Sequence, residues 1–117
     1  MATILIVDDE KSVRKTLSLL LEREGYDAVA AEGIEAARGL VSGADLVLLD
    51  IRLDDGNGLD FLEELNEQGF EKPVFLMSGM FNLSEWGRAV KLTGRPVINK
   101  PVESAGLMKL IAKTLGV

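Results

Sequence analysis

Three continuous apolar runs, Ile4-Leu5-Ile6-Val7, Leu46-Val47-Leu48-Leu49 and Val74-Phe75-Leu76-Met77, constrain the fold more than any other feature of this chain. A strand with one wet face alternates apolar and polar residues, whereas an unbroken run of this kind suits a strand buried on both faces. Ala28–Ala31 and Val97–Ile98 are weaker runs that fit edge strands. Between the runs lie stretches of helical period. Val13, Leu17, Leu20 and Leu21 precede Gly25, and Ile34, Ala37, Leu40 and Val41 precede Gly43. Leu59, Leu62 and Leu65 make a third stripe, Leu83, Trp86 and Val90 a fourth, and Leu107, Leu110, Ile111 and Leu115 a fifth. β–α units in this order predict an α/β fold, a doubly wound parallel sheet of five strands with right-handed crossovers and helices on both faces.

The 117 residues suffice for one domain, with an expected radius of gyration of about 13 Å. Thirteen Lys and Arg against nineteen Asp and Glu leave a net charge of −6, which repels phosphate backbones and argues against direct nucleic-acid binding. With no Cys there are no disulfides, zinc thiolates or thiol nucleophiles, and with no His there is no imidazole chemistry. No apolar stretch nears the roughly 20 residues of a membrane helix. The N-terminus runs directly into a strand without a basic region, so the expectation is a cytoplasmic protein with no signal peptide and no membrane association.

The polar residues at the strand ends carry the chemistry. The first run ends in Asp8-Asp9-Glu10, the second in Asp50, the third in Ser78-Gly79, and the last in Asn99-Lys100-Pro101. In a parallel sheet all four sets project from the same edge, where open α/β sheets bind ligands at the reversal of strand order. Taken singly, each has an ordinary explanation: Asp9 as a helix cap, Ser78-Gly79 as a turn, Lys100 as a solvated charge. Their coincidence on four strand ends favours a joint function. Clustered carboxylates with one ammonium suit a hard divalent cation such as Mg²⁺. Metal, Lys and hydroxyl together can bind a phosphoryl group, and a carboxylate nucleophile would then form an aspartyl phosphate. Asp50 is the best nucleophile candidate, because it follows the central run.

With these residues in place, the chain resembles the receiver domain of two-component response regulators. The matching segments are Ile4–Glu10, Leu48-Leu49-Asp50-Ile51-Arg52-Leu53 with Gly58 beyond it, Met77-Ser78-Gly79 and Lys100-Pro101. The resemblance spans the chain, so residues 1–117 are expected to form one receiver domain. It implies a flavodoxin-like sheet of order 2-1-3-4-5. It also implies that Asp50 is the phosphoacceptor, that Asp9 ligates Mg²⁺ directly, and that Asp8 does so mainly through water. Asp50 itself and the backbone carbonyl of Arg52 would complete the protein's share of the metal shell, while Lys100 and Ser78 would bind the acyl phosphate. The implied donor is a histidine kinase or phosphotransfer protein, with small acyl phosphates as substitutes. The implied output is a conformational change read by an unidentified output protein or domain, with homodimerisation on phosphorylation common in the family. Such a domain is a signalling module, not an enzyme, limited to autocatalytic phosphotransfer and autodephosphorylation.

The chain departs from the family pattern in its second half. An aromatic residue usually stands where this chain has Val97, three before Lys100, and its rotation reports phosphorylation. The usual small pair before the last strand reads Thr93-Gly94, the usual Pro four after the acceptor is Asp54, and Trp86-Gly87 interrupts the fourth stripe. Trp86 reads as a core residue of that stripe ahead of an exposed anchor, and Asp54-Asp55 as a solvated loop. Three other functions compete. A degenerate receiver could act only as a protein-interaction scaffold. A metal-dependent phosphohydrolase of the haloacid-dehalogenase kind would need a second Asp where this chain has Arg52. A flavodoxin-like cofactor binder would need a Gly- and Ser-rich phosphate loop in place of Asp8-Asp9-Glu10-Lys11.

Overall fold

The computed structural model describes residues 1–116. Strands β1 (Thr3–Val7), β2 (Asp27–Ala31), β3 (Leu46–Asp50), β6 (Val74–Ser78) and β7 (Ile98–Asn99) form one parallel sheet. Strands β4 (Arg52–Leu53) and β5 (Gly56–Asn57) form a separate antiparallel ribbon directly after β3. The helices are α1 (Lys11–Arg23), α2 (Ile34–Arg38), α3 (Gly58–Glu67), α4 (Leu83–Thr93) and α5 (Ser104–Leu115). The sheet order is β2-β1-β3-β6-β7, which is the predicted 2-1-3-4-5 once the small ribbon is set aside. The radius of gyration is 12.9 Å. Among the described residues no helix is long and apolar enough to cross a membrane.

The central strands are buried on both faces, as their composition requires. Successive side chains of a strand point to opposite sides. Ile4, Ile6, Leu46, Leu48, Phe75 and Met77 therefore pack under α1 and α5, against Leu17, Leu21, Leu107 and Ile111. Leu5, Val7, Val47, Leu49, Val74 and Leu76 face the other layer, where Ala37, Leu59, Leu62, Leu65 and Ala89 cover them. Register then aligns the carboxyl ends. Val7 lies beside Leu49, Asp50 beside Met77, and Ser78 beside Asn99.

Several details differ from the sequence reading, among them α2, which ends at Arg38 so that Leu40 and Val41 of its stripe lie beyond it. Asp50 and Ser78 are the last residues of their strands, and the final strand begins one residue later than expected, at Ile98. The fourth stripe faces the wrong way: Leu83 is 89% and Trp86 42% exposed, and the buried residue of α4 is Ala89. Glu85 lies on the more covered side, where its carboxylate closes a capping box with Asn82 and meets Arg52. Leu110 of α5 is also partly exposed.

Asp55 also does more than solvate a loop. Its two carboxylate oxygens accept from the backbone N–H groups of Ile34 (2.9 Å) and Glu35 (3.1 Å), so it caps α2 from across the fold. Gly33 leaves room for it, because a Cβ there would lie 2.6 Å from the Asp55 carboxylate. Gly58 has a similar role at the start of α3, where a Cβ would lie 2.2 Å from the carbonyl oxygen of Asp50.

The backbone donors of Ile34 and Glu35 hold the Asp55 carboxyl below its usual value. Its contribution to stability is therefore complete above the ordinary aspartate value of about 4 and disappears as pH falls through the lowered folded value. Asp55→Ala is expected to cost about 1 kcal/mol in urea melts at neutral pH, a difference that shrinks in strong acid. Gly58→Ala is expected to cost about 1–3 kcal/mol, because the added methyl must displace the Asp50 backbone. The same melts measure it.

Candidate functional site

Among the described residues, the buried polar or charged side chains are Asp8, Asp50 and Ser78, each at the carboxyl end of a central strand. Burying a charge is costly unless it is paired and hydrogen-bonded. Lys100, just beyond β7, supplies the pairing: its Nζ lies 2.6 Å from Asp8 Oδ2, 3.0 Å from Asp50 Oδ2 and 3.7 Å from Glu10 Oε1. The remaining oxygens meet backbone donors. Asp8 Oδ1 accepts from the Glu10 N–H (2.8 Å), and Asp50 Oδ1 accepts from the Arg52 N–H (3.2 Å). Arg14 of α1 donates to the Asp8 carbonyl (2.7 Å) and fixes the strand-to-helix turn.

These surroundings tune the charges in definite directions. Burial pushes the Asp50 carboxyl above its ordinary value, against the pull of the Lys100 hydrogen bond and charge, and the Asp8 charge adds to the rise. For Lys100, burial acts to lower the ammonium's value, but hydrogen bonds to Asp8 and Asp50 outweigh it and hold the group above the ordinary lysine value. The site thus keeps Lys100 charged and leaves Asp50 a poorly solvated, basic carboxylate.

The predicted site residues Asp8, Asp9, Asp50, Ser78 and Lys100 come together at this edge, and Arg52 joins them through its backbone N–H on Asp50. Asp8, Asp9 and Glu10 bring carboxylate oxygens within 4.8 Å of one another, and Asp50 joins them through the shared Lys100 ammonium. Glu10 therefore belongs to the acidic group, although the sequence reading gave it no ligand role. Oxygen-only donors at this spacing, opening to solvent at Glu10, fit a hard divalent cation that keeps part of its water shell. Ser78 lies at the site with its hydroxyl turned within its own loop, donating to the Met80 carbonyl (2.7 Å) and accepting from the Met80 N–H (3.2 Å).

The Arg52 side chain was not anticipated. It leaves the acidic edge, and its Nε donates to the Met80 carbonyl (3.1 Å) while Nη2 meets Glu85 Oε1 (2.7 Å). A basic residue just after β3 hints at a partner, but nothing local in the sequence places that partner on α4. Beside the carboxylates an open groove of about 960 Å³ runs along α1, with Asp9, Asp50 and Ser78 at one end and Val13, Thr16 and Leu20 along its wall.

Residues 4–112 match the family model for the response regulator receiver domain. The response regulator protein PilR of Pseudomonas aeruginosa is 34% identical over 113 residues, covering 95% of this chain and 25% of that protein. The KDP operon transcriptional regulatory protein KdpE of Escherichia coli is 33% identical over 105 residues, covering 86% of this chain and 45% of that protein. The chain thus spans less than half of either relative. A CheY-like response regulator receiver domain protein from Methanospirillum hungatei superposes with a TM-score of 0.91 at 25% identity, over 99% of this chain and 94% of that one. The chain therefore belongs to the receiver-domain family of response regulators.

Proposed function

We propose that this chain, over residues 1–117, is a phosphoacceptor receiver in which Asp50 takes a phosphoryl group from a histidine kinase or phosphotransfer protein. The observation that carries this reading is the burial of Asp50 beside Asp8, with one lysine ammonium shared between them. A carboxylate withdrawn from water and raised in basicity is a better nucleophile than a solvated one. One Asp50 oxygen attacks the phosphorus, the bond from phosphorus to the donor's imidazole nitrogen breaks, and the electron pair leaves with that nitrogen. Water attack on the resulting acyl phosphate returns the Asp50 carboxylate and inorganic phosphate.

The other residues hold the phosphoryl group. Lys100 neutralises one of its oxygens, and the Ser78 hydroxyl turns from Met80 to donate to another. Asp9 directly, Asp8 largely through water, Asp50 and the Arg52 carbonyl would hold Mg²⁺, with Glu10 close enough to contribute through water. That ion supplies positive charge against the phosphoryl oxygens. The reading is of a cytoplasmic signalling domain whose chemistry ends with its own phosphorylation and dephosphorylation. Its partners are the donor and an output protein or domain, with homodimerisation on phosphorylation as one mode of output.

Incubating the chain with Mg²⁺ and acetyl phosphate is expected to add one phosphoryl group, seen in the intact mass. Asp50→Asn or removal of Mg²⁺ with EDTA should abolish the adduct. Labelling that persists in Asp50→Asn would refute the assignment, and an unlabelled wild type that also ignores its phosphodonor proteins would point to a scaffold. Lys100→Ala leaves two buried carboxylates without their cation and should lower stability by about 3 kcal/mol. Mg²⁺ should recover part of that loss by replacing the missing charge. Urea melts with and without the ion measure both, and no recovery would count against the metal site.

A further inference from the structure

The side chain of Arg52 joins three parts of the molecule. Its own backbone N–H donates to the Asp50 carboxylate (3.2 Å), which places it in the acceptor loop. Its Nε donates to the carbonyl of Met80 (3.1 Å), the same oxygen that accepts the Ser78 hydroxyl (2.7 Å). Its Nη2 meets Glu85 Oε1 (2.7 Å), and that oxygen also accepts from the Asn82 N–H (3.1 Å) to close the capping box of α4. One guanidinium thus connects the acceptor loop, the carbonyl that holds Ser78, and the first turn of α4. The next residue along α4 is Trp86, 42% exposed and the chain's single tryptophan. Val97, by contrast, is a buried aliphatic side chain with no polar group to pass a signal on.

We propose that the Arg52 side chain is a positioning residue that holds the loop from Ser78 to Asn82 in the resting arrangement, and so couples Asp50 to the start of α4. The proposal rests on Asp50 being the acceptor. For the Ser78 hydroxyl to reach a phosphoryl group on Asp50, it must release the Met80 carbonyl, which frees the loop to shift. Arg52 opposes that shift, because it is anchored to Met80 and, through Glu85, to the helix. A ligand that needs the loop displaced binds more weakly by the cost of breaking those contacts. An ion pair with no such role would leave ligand binding unchanged, as half-exposed pairs commonly contribute little.

The test is titration of the full chain with beryllofluoride in Mg²⁺, followed by calorimetry for affinity and by Trp86 fluorescence for the start of α4. Arg52→Ala is expected to bind about three- to tenfold more tightly than wild type, even though its melting temperature falls. Its Trp86 emission should change less on binding. Glu85→Gln keeps the oxygen needed by the capping box but loses the charge, and it should shift affinity in the same direction. Arg52→Lys keeps the charge without the fork and should fall between wild type and Arg52→Ala. A residue with only a structural role would lower stability without tightening binding. Affinities of Arg52→Ala and Glu85→Gln that stay within about twofold of wild type, or weaken, overturn the proposal. If Arg52→Ala does not fold, Glu85→Gln decides alone. A wild type that binds no beryllofluoride removes the acceptor reading, and the coupling falls with it.

Discussion

Two carboxylates withdrawn from water at the ends of neighbouring parallel strands are the constraint around which this molecule is arranged. Asp8 follows β1 and Asp50 ends β3, and the register of those strands brings them to the same edge. Desolvating two like charges side by side costs several kcal/mol per ion unless each finds partners. The fold supplies them from three directions. Lys100 arrives from the far end of the chain, the Glu10 N–H comes from the start of α1, and the Arg52 N–H comes from the loop after β3. Each of those segments is thereby held in a definite conformation by the need to satisfy a carboxylate. Every buried side-chain polar atom among the described residues has a partner.

What could be read in the sequence follows from burial. Strands with both faces covered must be continuously apolar, so β1, β3 and β6 announce themselves. The polar residues that end them are then conspicuous, since a charged residue bordering such a run is either solvated or functional. Asp8, Asp50 and Ser78 were legible for that reason, and Lys100 because it follows the weaker last run. The face of α4 was not. Periodicity assigns the inward face to the largest apolar residues, yet Glu85 and Ala89 are the ones turned in. A carboxylate can take that place because Arg52, 33 residues earlier, is there to meet it. Asp55 lies in an exposed turn as expected, but its capping role was illegible for the same reason, as its partners are the N–H groups of a helix 20 and 21 residues away. Local pattern shows which side chains avoid water, but not which polar ones have found partners through the fold.

The two layers of the core and the polar edge are nearly separate in their demands. Apolar packing on each face of the sheet involves no site side chain, which allows the strand-end residues to be chosen for chemistry. The edge communicates with the rest of the molecule through a few polar contacts. Arg14 on the Asp8 carbonyl links it to α1, and Arg52 links it to α4. The second reaches the exposed apolar side chains of Met80, Leu83 and Trp86. A change confined to the edge therefore has a short physical route to that surface through the β6–α4 loop.

The charge of the site also bears on when it reacts. Asp8, Asp9, Glu10 and Asp50 face a single ammonium, and the chain as a whole carries −6. On the reading proposed for Asp50, the incoming phosphoryl group is itself anionic. Two unit charges 4 Å apart repel by about 1 kcal/mol in water and about 4 kcal/mol at the effective dielectric near a protein surface. Several such pairs would raise the barrier far beyond what Lys100 alone offsets. Lys100 is moreover already engaged by Asp8 and Asp50, so it cannot turn fully to a new anion without releasing them. A divalent cation relieves both problems at once, since it neutralises the acidic group and frees the ammonium. On that reading, the excess of acids would keep Asp50 unreactive until a cation offsets it.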